Sequence, residues 1–493
     1  MLKHVRIILA VICFMAITAL FVDFTFTAAH GWGWLAKWQF MPAVLSANVM
    51  VLAILIAATL IFGRVYCSIL CPLGVLQDII SWIRGRSNKR ARSRFRYLNN
   101  APWLRITVLA LFVASICIGL THLALFIEPY SAYGRIAGSL IKPAYVEANN
   151  LMASTQGPDD YTFYAVENYL SAGAIIVASI TFIIIAVLSW INGRIYCNTI
   201  CPVGTILGYM SRFSWLKPVI DTDKCIKCGS CARKCKASCI DFKNEEIDYT
   251  RCVACMDCIG ACSKNAISYA HPSKTATKSE SEKADSGRRE FLTISALLAG
   301  SAVLHAEEKN VDGGLAKIID KVKPVRHTPV TPPGSNSHDN FFKKCTACQL
   351  CISSCPNGVL RPSSDATHFM QPEVSYERGY CRPECTRCSE VCPTGAITLI
   401  DVAEKSSRQI GHAVWVKENC LPYNDGTSCG NCARHCPTGA IVMTALNPDD
   451  AASPKVPAVN TELCIGCGAC ENLCPARPFS AIYVEGHERH REI

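Results

Sequence analysis

The sequence predicts an α-helical membrane domain, with four main spans and an internal two-span repeat, followed by small α+β modules rich in cysteine. Three observations support this fold class. Apolar residues crowd into the first 200 positions, a sequence motif recurs there at a constant offset of 130 residues, and most of the 31 cysteines stand in short runs beyond position 220. A chain of 493 residues has room for about three folded units, since domains usually run to about 100–200 residues.

Four apolar stretches are long enough to cross a bilayer, which takes roughly 20 helical residues; they lie at about 7–28, 41–62, 103–127 and 169–191. The first could instead be the apolar core of a signal peptide, but it is long and lacks a clean small-residue cleavage site. We therefore interpret it as a span and expect the chain to contact the lipid bilayer at several passes.

Basic residues indicate the orientation of these spans. Lys3 and Arg6 precede the first span, a basic run at 84–96 follows the second, and Arg212 and Lys217 follow the fourth. Because cytoplasmic loops carry an excess of Lys and Arg, the N-terminus and these segments are predicted to lie inside. The net charge of +10 therefore reflects topology, and no nucleic-acid partner is expected.

The repeat pairs IFGRVYCSILCPLG at 61–74 with INGRIYCNTICPVG at 191–204. Each copy is two spans followed by Gly-Arg-x-Tyr-Cys-x3-Cys-Pro-x-Gly, so the copies share one orientation and are related by an axis along the membrane normal. Proline disfavours helix for the residue before it, so the second cysteine of each copy is expected to end a transmembrane helix. The repeat places four cysteines at one depth on the inner side: Cys67, Cys71, Cys197 and Cys201.

The sequence divides into six segments. A membrane domain at 1–220 precedes a cysteine-rich domain at 221–270 and a polar linker at 271–286. At 287–306, Arg288 and Arg289 precede about 14 apolar residues, which is typical of a twin-arginine signal, although a short helix is the alternative. A second linker at 307–340 leads to a second cysteine-rich domain at 341–493.

The cysteine spacing identifies the chemistry of both cysteine-rich domains. A [4Fe-4S] cluster needs four thiolates, and in the bacterial ferredoxin run C-x2-C-x2-C-x3-C-P the last cysteine serves the other cluster of a pair. In the first domain this rule joins Cys225, Cys228 and Cys231 with Cys262, and Cys252, Cys255 and Cys258 with Cys235. Cys239 aligns with Ala266 in the other run, so it is interpreted as a packing residue.

The second domain carries four more runs, whose pairing the spacing leaves open. They are Cys345, Cys348, Cys351, Cys355; Cys381, Cys385, Cys388, Cys392; Cys420, Cys429, Cys432, Cys436; and Cys464, Cys467, Cys470, Cys474. Zinc ribbons separate two Cys-x2-Cys pairs by some 15–20 residues, and disulfides between such close neighbours would be strained. The sequence therefore predicts six [4Fe-4S] clusters in α+β ferredoxin-like modules.

These motifs resemble known families. Residues 1–270, with two Cys-x3-Cys-Pro motifs before two cluster runs, resemble the NapH-type quinol-oxidising membrane ferredoxin proteins, and the second half is similar to the NapG/MauM-type polyferredoxins. The resemblance implies a quinol dehydrogenase of the bacterial inner membrane that takes electrons from the quinol pool. It implies delivery to a periplasmic cytochrome or reductase, with 221–286 cytoplasmic and 307–493 periplasmic.

Two alternatives to quinol oxidation stand beside it. CcoG-type assembly factors share the GRxYCxxxCP motif and cytoplasmic clusters, but they carry a β-sandwich where this chain has four further cluster runs. Transfer from a reduced ferredoxin to quinone would use the same parts in the opposite direction. The sequence contains no Rossmann fingerprint and no Gly-rich phosphate loop, which disfavours nicotinamide or nucleotide chemistry.

Two sites in the membrane domain are candidates for redox chemistry. Ionisable residues near membrane depth are functional candidates, and His122, Glu128, Tyr130 and Arg135 at the outer end of span three could place protons on a quinone. Trp32, Trp34 and Trp38 could line a quinone pocket, but an interfacial aromatic belt is favoured. The four Cys-x3-Cys-Pro cysteines are interpreted as one redox site with a further iron-sulfur centre, the alternatives being two dithiols or a structural turn.

Overall fold

The computed structural model describes residues 2–87, 95, 97, 101–119, 121–155, 163–168, 171–271, 310–311, 316–317, 320–450 and 453–493. The twin-arginine-like segment at 287–306 and the linker beyond residue 271 lie outside these ranges, as does the side chain of His122.

The described residues up to Ser211 form a helical domain. Its helices are α1 (Leu2–Val22), α2 (Thr27–Trp32), α3 (Trp34–Lys37), α4 (Phe40–Leu45), α5 (Val49–Phe62), α6 (Val65–Ile69), α7 (Pro72–Ser87), α8 (Pro102–Ile118), α9 (Thr121–Phe126), α10 (Pro129–Ile136), α11 (Lys142–Ser154), α12 (Ala172–Asn192), α13 (Ile195–Thr199) and α14 (Pro202–Ser211). A π-helical turn, Ala137–Ile141, joins α10 to α11.

Each predicted span contains an apolar helix, but the four helices differ in length. Among the described residues, α1 and α12, with 21 residues each, are long and apolar enough to cross a membrane. The helices α5 and α8 are shorter, with 14 and 17 residues. The predicted second span is divided between α4 and α5, and the third between α8 and α9.

Local backbone features explain where these helices begin and end. The carboxylate of Asp23 accepts hydrogen bonds from the backbone N–H groups of Thr25 and Ala28, which ends α1 early. Ala47 adopts a positive φ of 53° between α4 and α5, and Gly119 one of 90° after α8. A left-handed residue cannot continue a right-handed helix, so each of these positions ends one.

The two copies of the repeated motif have the same local structure. After Gly63 and Gly193, both at positive φ, a five-residue helix leads to the second cysteine, and the proline begins the next helix. The prediction that each proline starts a segment is therefore correct. The expectation that Cys71 and Cys201 end a transmembrane helix is wrong, because the chain turns at the glycine and only the short helices α6 and α13 precede them.

The remaining strands and helices are short. The first cysteine-rich module contains β1 (Lys217–Ile220), α15 (Ser230–Lys234), β2 (Ile240–Asp241), β3 (Glu246–Ile247) and β4 (Ile267–Ala270). An isolated strand pair, β5 (Asn310–Val311) and β6 (Ala316–Lys317), follows. The second module contains α16 (His338–Lys344), α17 (Leu350–Ser354), β7 (Leu360–Pro362), β8 (Pro372–Val374), α18 (Arg387–Val391), α19 (Val402–Ser406), β9 (Arg408–Trp415), α20 (Leu421–Asn424), α21 (Asn431–Arg434), β10 (Ile441–Ala445), β11 (Lys455–Val459), α22 (Ala469–Asn472) and β12 (Ile482–Glu492).

All the strands pair as two-stranded antiparallel sheets, β1 with β4, β2 with β3, β5 with β6, β7 with β8, β9 with β12 and β10 with β11. The second module also begins earlier than the predicted boundary at 341. Val330 is 1% exposed, and its carbonyl accepts a hydrogen bond from the N–H of Val374. The described part of the predicted linker, from 320 onwards, is therefore folded against the module.

The two cysteine-rich modules lie at opposite ends of the helical domain. At one end, Lys3 of α1 pairs with Asp257 of the first module, their charged atoms being 2.9 Å apart. At the other, the hydroxyl of Thr121 in α9 donates to the carbonyl of Phe342 in the second module, at 2.9 Å. The helical domain therefore separates the two modules.

Candidate metal centres

The arginine of each repeated motif crosses to the other copy. Arg64 donates from Nη2 to the carbonyl of Cys197 at 3.3 Å, and Arg194 donates from Nη1 to the carbonyl of Cys67 at 2.6 Å. Both arginines are fully buried. These reciprocal bonds hold the two copies face to face around a pseudo-two-fold axis.

The last glycine of each motif makes room for this exchange. A Cβ on Gly74 would overlap the Cys67 carbonyl and stand 2.7 Å from Nη1 of Arg194. A Cβ on Gly204 would overlap the Cys197 carbonyl and stand 2.9 Å from Nη2 of Arg64. The Pro-x-Gly ending of the motif is thus a packing requirement of the paired copies.

The paired motifs enclose four thiols, which we call the buried quartet: Cys67, Cys71, Cys197 and Cys201, each at most 3% exposed. All four belong to the same buried cluster. Polar hydrogens point at three of the sulfurs. Arg64 Nη2 is 3.8 Å from Cys67 Sγ, Gln77 Nε2 is 3.2 Å from Cys197 Sγ, and the N–H of Gly204 is 3.3 Å from Cys201 Sγ.

The first module surrounds two cavities. Each is lined by the cysteine set predicted from the rule that the last cysteine of one run serves the other cluster. One cavity is lined by the Cys225 group, which is Cys225, Cys228, Cys231 and Cys262. The other is lined by the Cys235 group, which is Cys235, Cys252, Cys255 and Cys258. Cys239 also lines the second cavity, and its Sγ lies 3.5 Å from Cys235 Sγ. Cys239 is therefore in contact with a predicted ligand, which its alignment with alanine did not reveal.

The second module brings its sixteen run cysteines together in four groups, and neighbouring runs exchange their last cysteine. The groups are the Cys345 group (Cys345, Cys348, Cys351, Cys392), the Cys381 group (Cys355, Cys381, Cys385, Cys388), the Cys420 group (Cys420, Cys429, Cys432, Cys474) and the Cys464 group (Cys436, Cys464, Cys467, Cys470). The pairing that the sequence left open is therefore first run with second and third with fourth.

The loops that carry the thiols share a backbone conformation. In the four runs with strict Cys-x2-Cys-x2-Cys spacing, the residues on both sides of the middle cysteine have positive φ, for example Ala347 at 53° and Gln349 at 64° around Cys348. Such turns aim successive N–H groups into a concave anion site. The runs beginning at Cys381 and Cys420, whose first spacing is wider, lack this pair of positive-φ residues.

These groups fit a [4Fe-4S] cluster by their donors. N–H groups also reach the crossing cysteines, from Ala266 to Cys262 Sγ at 3.2 Å and from Ala481 to Cys474 Sγ at 3.3 Å. Burial raises the pKa of Cys432 to about 11 and that of Cys467 to about 12, so coordination to a metal would release their protons. Within the described ranges, no three His, Cys, Asp or Glu side chains converge as one metal ion would need. In a [4Fe-4S] cubane each thiolate binds a different iron, so the four sulfurs stand further apart than the ligands of a single metal ion.

The four groups of the second module follow one another in a line. The N–H of Cys381 donates to the carbonyl of Cys467 at 2.9 Å, and the hydroxyl of Tyr376 donates to the carbonyl of Gly466 at 2.5 Å. The Cys381 group therefore adjoins the Cys464 group. The first and second runs exchange their last cysteines, as do the third and fourth, so the Cys345 group adjoins the Cys381 group and the Cys464 group adjoins the Cys420 group. The order is therefore Cys345 group, Cys381 group, Cys464 group and Cys420 group.

The predicted quinone residues lie between the buried quartet and the second module. Glu128, Tyr130 and Arg135 are all fully buried on α10 and its N-terminal cap, while the His122 side chain is outside the described part of the chain. Glu128 caps the helix by accepting from the N–H of Ser131, and Arg135 donates to the carbonyl of Phe126 at 2.9 Å. These three residues are enclosed, and none of them lines the large cavities between the helical domain and the second module.

A large cleft separates the helical domain from the second module, and no sequence motif indicates it. It encloses about 620 Å³, within the usual range for small-molecule sites, and its lining includes Phe24, Lys142, Tyr164 and Cys355. An adjoining cavity of about 440 Å³ is lined by residues that include His30, Cys385 and Glu390. We call the two together the interdomain cleft; Thr25 and Arg387 line both parts. Of the three tryptophans considered for a quinone pocket, Trp34 is 53% exposed, and none lines this cleft.

Comparison with known families agrees with this division. A family described as a 4Fe-4S binding domain matches residues 45–90 and 174–220, one match for each copy of the repeated motif. A family described as a 4Fe-4S dicluster domain matches 344–396 and 427–477, one match for each pair of exchanging runs. No solved structure matches the chain.

Curated relatives are ferredoxin-type proteins. The chain is 31% identical over 195 residues to the methylamine utilization ferredoxin-type protein MauM of Paracoccus denitrificans, covering 38% of this chain and 82% of that protein. It is 29% identical over 208 residues to the ferredoxin-type protein NapG of Escherichia coli, covering 40% and 84%, and 27% identical over 158 residues to NapF of the same species, covering 32% and 87%. On this match, the chain belongs to the family of ferredoxin-type iron-sulfur electron-transfer proteins that includes MauM.

Proposed function

We propose that this chain oxidises quinol at the outer face of a bacterial cytoplasmic membrane and passes the electrons through its second module to a redox protein such as a cytochrome or a reductase. One observation carries the proposal: the line of four cysteine groups begins against the helical domain, and its second group lines a cleft large enough for a quinone ring. When bound, a [4Fe-4S] cluster at each group accepts and donates one electron.

The interdomain cleft offers the surroundings that a quinol needs. Phe24, Val146 and Tyr164 give it an apolar wall on the side of the helical domain. Two thiols of the Cys381 group, Cys355 and Cys385, line its two parts. A quinol bound there would deliver its electrons directly to the second group in the line.

The same cleft contains groups that can take the protons. Oxidation of one quinol to quinone releases two electrons and two protons. His30 and Glu390 line the part of the cleft beside Cys385, and the His30 side chain is exposed, so protons can pass from it to solvent. The electrons leave one at a time towards the Cys464 and Cys420 groups.

The membrane location is part of the proposal. In the described part of the chain, two helices are long and apolar enough to span, and the modules lie at opposite ends of the helical domain; both observations support an arrangement with the first module inside and the second outside. A reporter fused at residue 281 is expected to respond as cytoplasmic, and one fused after Ile493 as periplasmic. Equal cytoplasmic responses would contradict this arrangement.

The buried quartet is proposed to hold a further iron-sulfur centre. Four enclosed thiols with polar hydrogens directed at the sulfurs suit such a centre better than two separate dithiols, because the reciprocal arginines bind the two copies into one site. The match of each copy to a 4Fe-4S binding family supports this choice.

A variant of the cleft tests quinol oxidation. Thr25 is exposed and lines both parts of the cleft, so Thr25→Trp should fill the junction between them. Reduction of the purified protein by quinol, followed as the loss of its visible absorbance, should then be slower by about tenfold or more. Thr27→Trp, also exposed but not in the cleft lining, is the control. Dithionite should reduce both variants equally. Quinol oxidation at an unchanged rate in Thr25→Trp would refute the cleft as the site.

A further inference from the structure

The buried quartet contacts the first module through two side chains of the repeated motif. Arg64 reaches Cys67 Sγ with Nη2, at 3.8 Å, and donates from Nη1 to the carbonyl of Thr250 at 3.3 Å. Thr250 stands two residues before Cys252 of the Cys235 group. Asn198 donates to the carbonyl of Ala237, two residues after Cys235, at 2.9 Å. The quartet is therefore one side chain away from the Cys235 group.

On its other side the quartet reaches the second module through α10. The hydroxyl of Tyr196, the residue before Cys197, donates to the carbonyl of Ile127 at 2.7 Å. The next residue, Glu128, caps α10 by accepting a hydrogen bond from the N–H of Ser131. Further along α10, Gly134 lies directly against the Cys348 carbonyl. A single buried helix thus separates the quartet from the first group of the second module.

The first module continues the series to its surface. Cys231 of the Cys225 group lies in α15, and Cys235 of the Cys235 group is the C-terminal cap of the same short helix. At the far side of the Cys225 group, Cys228 is exposed and its neighbour Ile226 is 61% exposed. The Cys225 group is therefore open to a partner in solution at the end of the molecule remote from the second module.

We infer that the chain conducts electrons between its two ends along one route of seven thiol groups, with the buried quartet joining the modules. A one-electron redox protein at the Cys225 group can then exchange electrons with an acceptor at the Cys420 group without any quinone. The order along the route is Cys225 group, Cys235 group, quartet, Cys345 group, Cys381 group, Cys464 group and Cys420 group.

The length of the helical domain explains why a relay is needed. The 21 residues of α12 rise about 1.5 Å each, so the helix is about 31 Å long. Electron tunnelling falls exponentially with distance, so a direct step over such a length would be very slow. Because the quartet has contacts towards both modules, it divides the crossing into shorter steps.

The chemical balance of the route is simple. A reduced iron-sulfur or flavin protein gives one electron to the first site, and an oxidised haem protein takes one from the last. No bond forms or breaks along the route, and no proton accompanies the electron. The inference assumes the iron-sulfur chemistry of the proposed function, including a centre at the quartet, but it does not depend on quinol oxidation.

Vesicles free of quinone test the inference. The full chain is reconstituted in phosphatidylcholine vesicles with oxidised cytochrome c trapped inside, and dithionite is added outside. Reduction of the trapped cytochrome requires electrons to cross through the protein. The wild type should reduce it, while Cys71→Ser and the double variant Cys71→Ser/Cys201→Ser should both be at least about tenfold slower. Equal loss in the single and double variants indicates one shared site.

Matched controls separate this route from general damage. Cys13 and Cys117 also lie in the helical domain but outside the quartet, so Cys13→Ser/Cys117→Ser should keep the wild-type rate. Iron and sulfide content should fall only by the quartet's share in the Cys71→Ser variants, with the electron paramagnetic resonance signals of the six other groups retained. Wild-type transfer at the rate of protein-free vesicles, or an unchanged rate in the double variant, would overturn the inference.

The proposed function has a separate outcome in the same vesicles. Thr25→Trp should lose quinol-dependent reduction but keep quinone-free transfer. If the wild type fails to oxidise quinol yet reduces the trapped cytochrome, the proposed function is wrong and the route stands. The reverse result removes the route and leaves quinol oxidation in place.

Discussion

Gly134 of α10 lies against the carbonyl group of Cys348, with no space between them for a side chain. The ring of Phe21 closes the same position, with two of its carbons 2.9 Å from where a Cβ would stand. This contact joins the helical domain to the first cysteine group of the second module, so the fit between the two units depends on a glycine.

Gly134→Ala should therefore loosen this junction. Overpacking a tight site costs about 1–3 kcal/mol, so we expect a lower thermal midpoint and faster proteolytic release of the second module. Gly173→Ala is the control, since a Cβ there meets open space. Equal stability of the two variants would show that the contact is not a constraint.

Asp78 should stabilise the end of the helical domain that faces the first module. Its carboxylate pairs with Arg194 at 2.7 Å, Lys236 at 2.8 Å and Arg6 at 3.4 Å. Asp78→Asn would leave the fully buried Arg194 guanidinium without its carboxylate, a change that costs about 3–5 kcal/mol, although Lys236 would keep its second partner Asp257 at 3.2 Å. Asp339→Asn, which removes a surface pair with Lys343, should cost at most about 1 kcal/mol. Thermal unfolding of both variants checks the difference, and similar midpoints would contradict it.

Cys239 should be able to replace Cys235. Its sulfur already lies 3.5 Å from that of Cys235, whereas the equivalent position beside Cys262 is Ala266. Cys235→Ala is therefore expected to retain its iron, while Cys262→Ala loses about four irons per chain. The double variant Cys235→Ala/Cys239→Ala should lose about four as well. If Cys235→Ala loses as much iron as Cys262→Ala, Cys239 is only a packing residue, as its alignment suggested.

Acid should destabilise the second module through His490. Burial, together with the charges of His338, Arg408 and His487, lowers the pKa of His490 to about 3. In the unfolded chain a histidine has a pKa of about 6.5. The unfolded state therefore binds the proton first, and the free energy of unfolding falls as the pH drops from about 6.5 towards about 3, by up to about 1.4 kcal/mol per pH unit.

His490→Gln should flatten this acid dependence. Glutamine can keep a bond to the Thr331 hydroxyl, which lies 2.9 Å from His490 Nε2, but it does not titrate. The thermal midpoint, measured from about pH 7 to about pH 5, should change less in the variant than in the wild type. His435→Gln, at an exposed position, is the control and should follow the wild type. An unchanged slope in His490→Gln would rule out this histidine as the source.

The sequence predicted local features better than distant ones. The cysteine loops and the repeated Gly-Arg-x-Tyr-Cys-x3-Cys-Pro-x-Gly motif follow from spacing, because each loop folds around its own thiols. The cysteines that line the two cavities of the first module are also those predicted when each run gives its last cysteine to the other cluster. The early ends of the apolar helices were missed, since the turn at Asp23 and the left-handed Ala47 lie within continuous apolar sequence.

Contacts between distant segments could not be read from spacing. The crossing of Arg64 and Arg194 joins residues 130 positions apart, and a one-dimensional motif does not show which carbonyl each guanidinium meets. The interdomain cleft is formed where two separately folded units meet. The prolines and polar residues of the predicted linker at 307–340 conceal the buried Val330, so composition alone does not show that its described part from 320 onwards is folded.

The metal content of the full chain tests the central claim most directly. Iron, acid-labile sulfide and zinc would be measured on protein purified without oxygen, together with electron paramagnetic resonance of the reduced sample. Six groups predict about 24 irons, with further iron at the buried quartet, and signals broadened by coupling between neighbouring groups. A protein loaded with zinc and poor in iron, or one whose reduced signals show no coupling, would contradict the account.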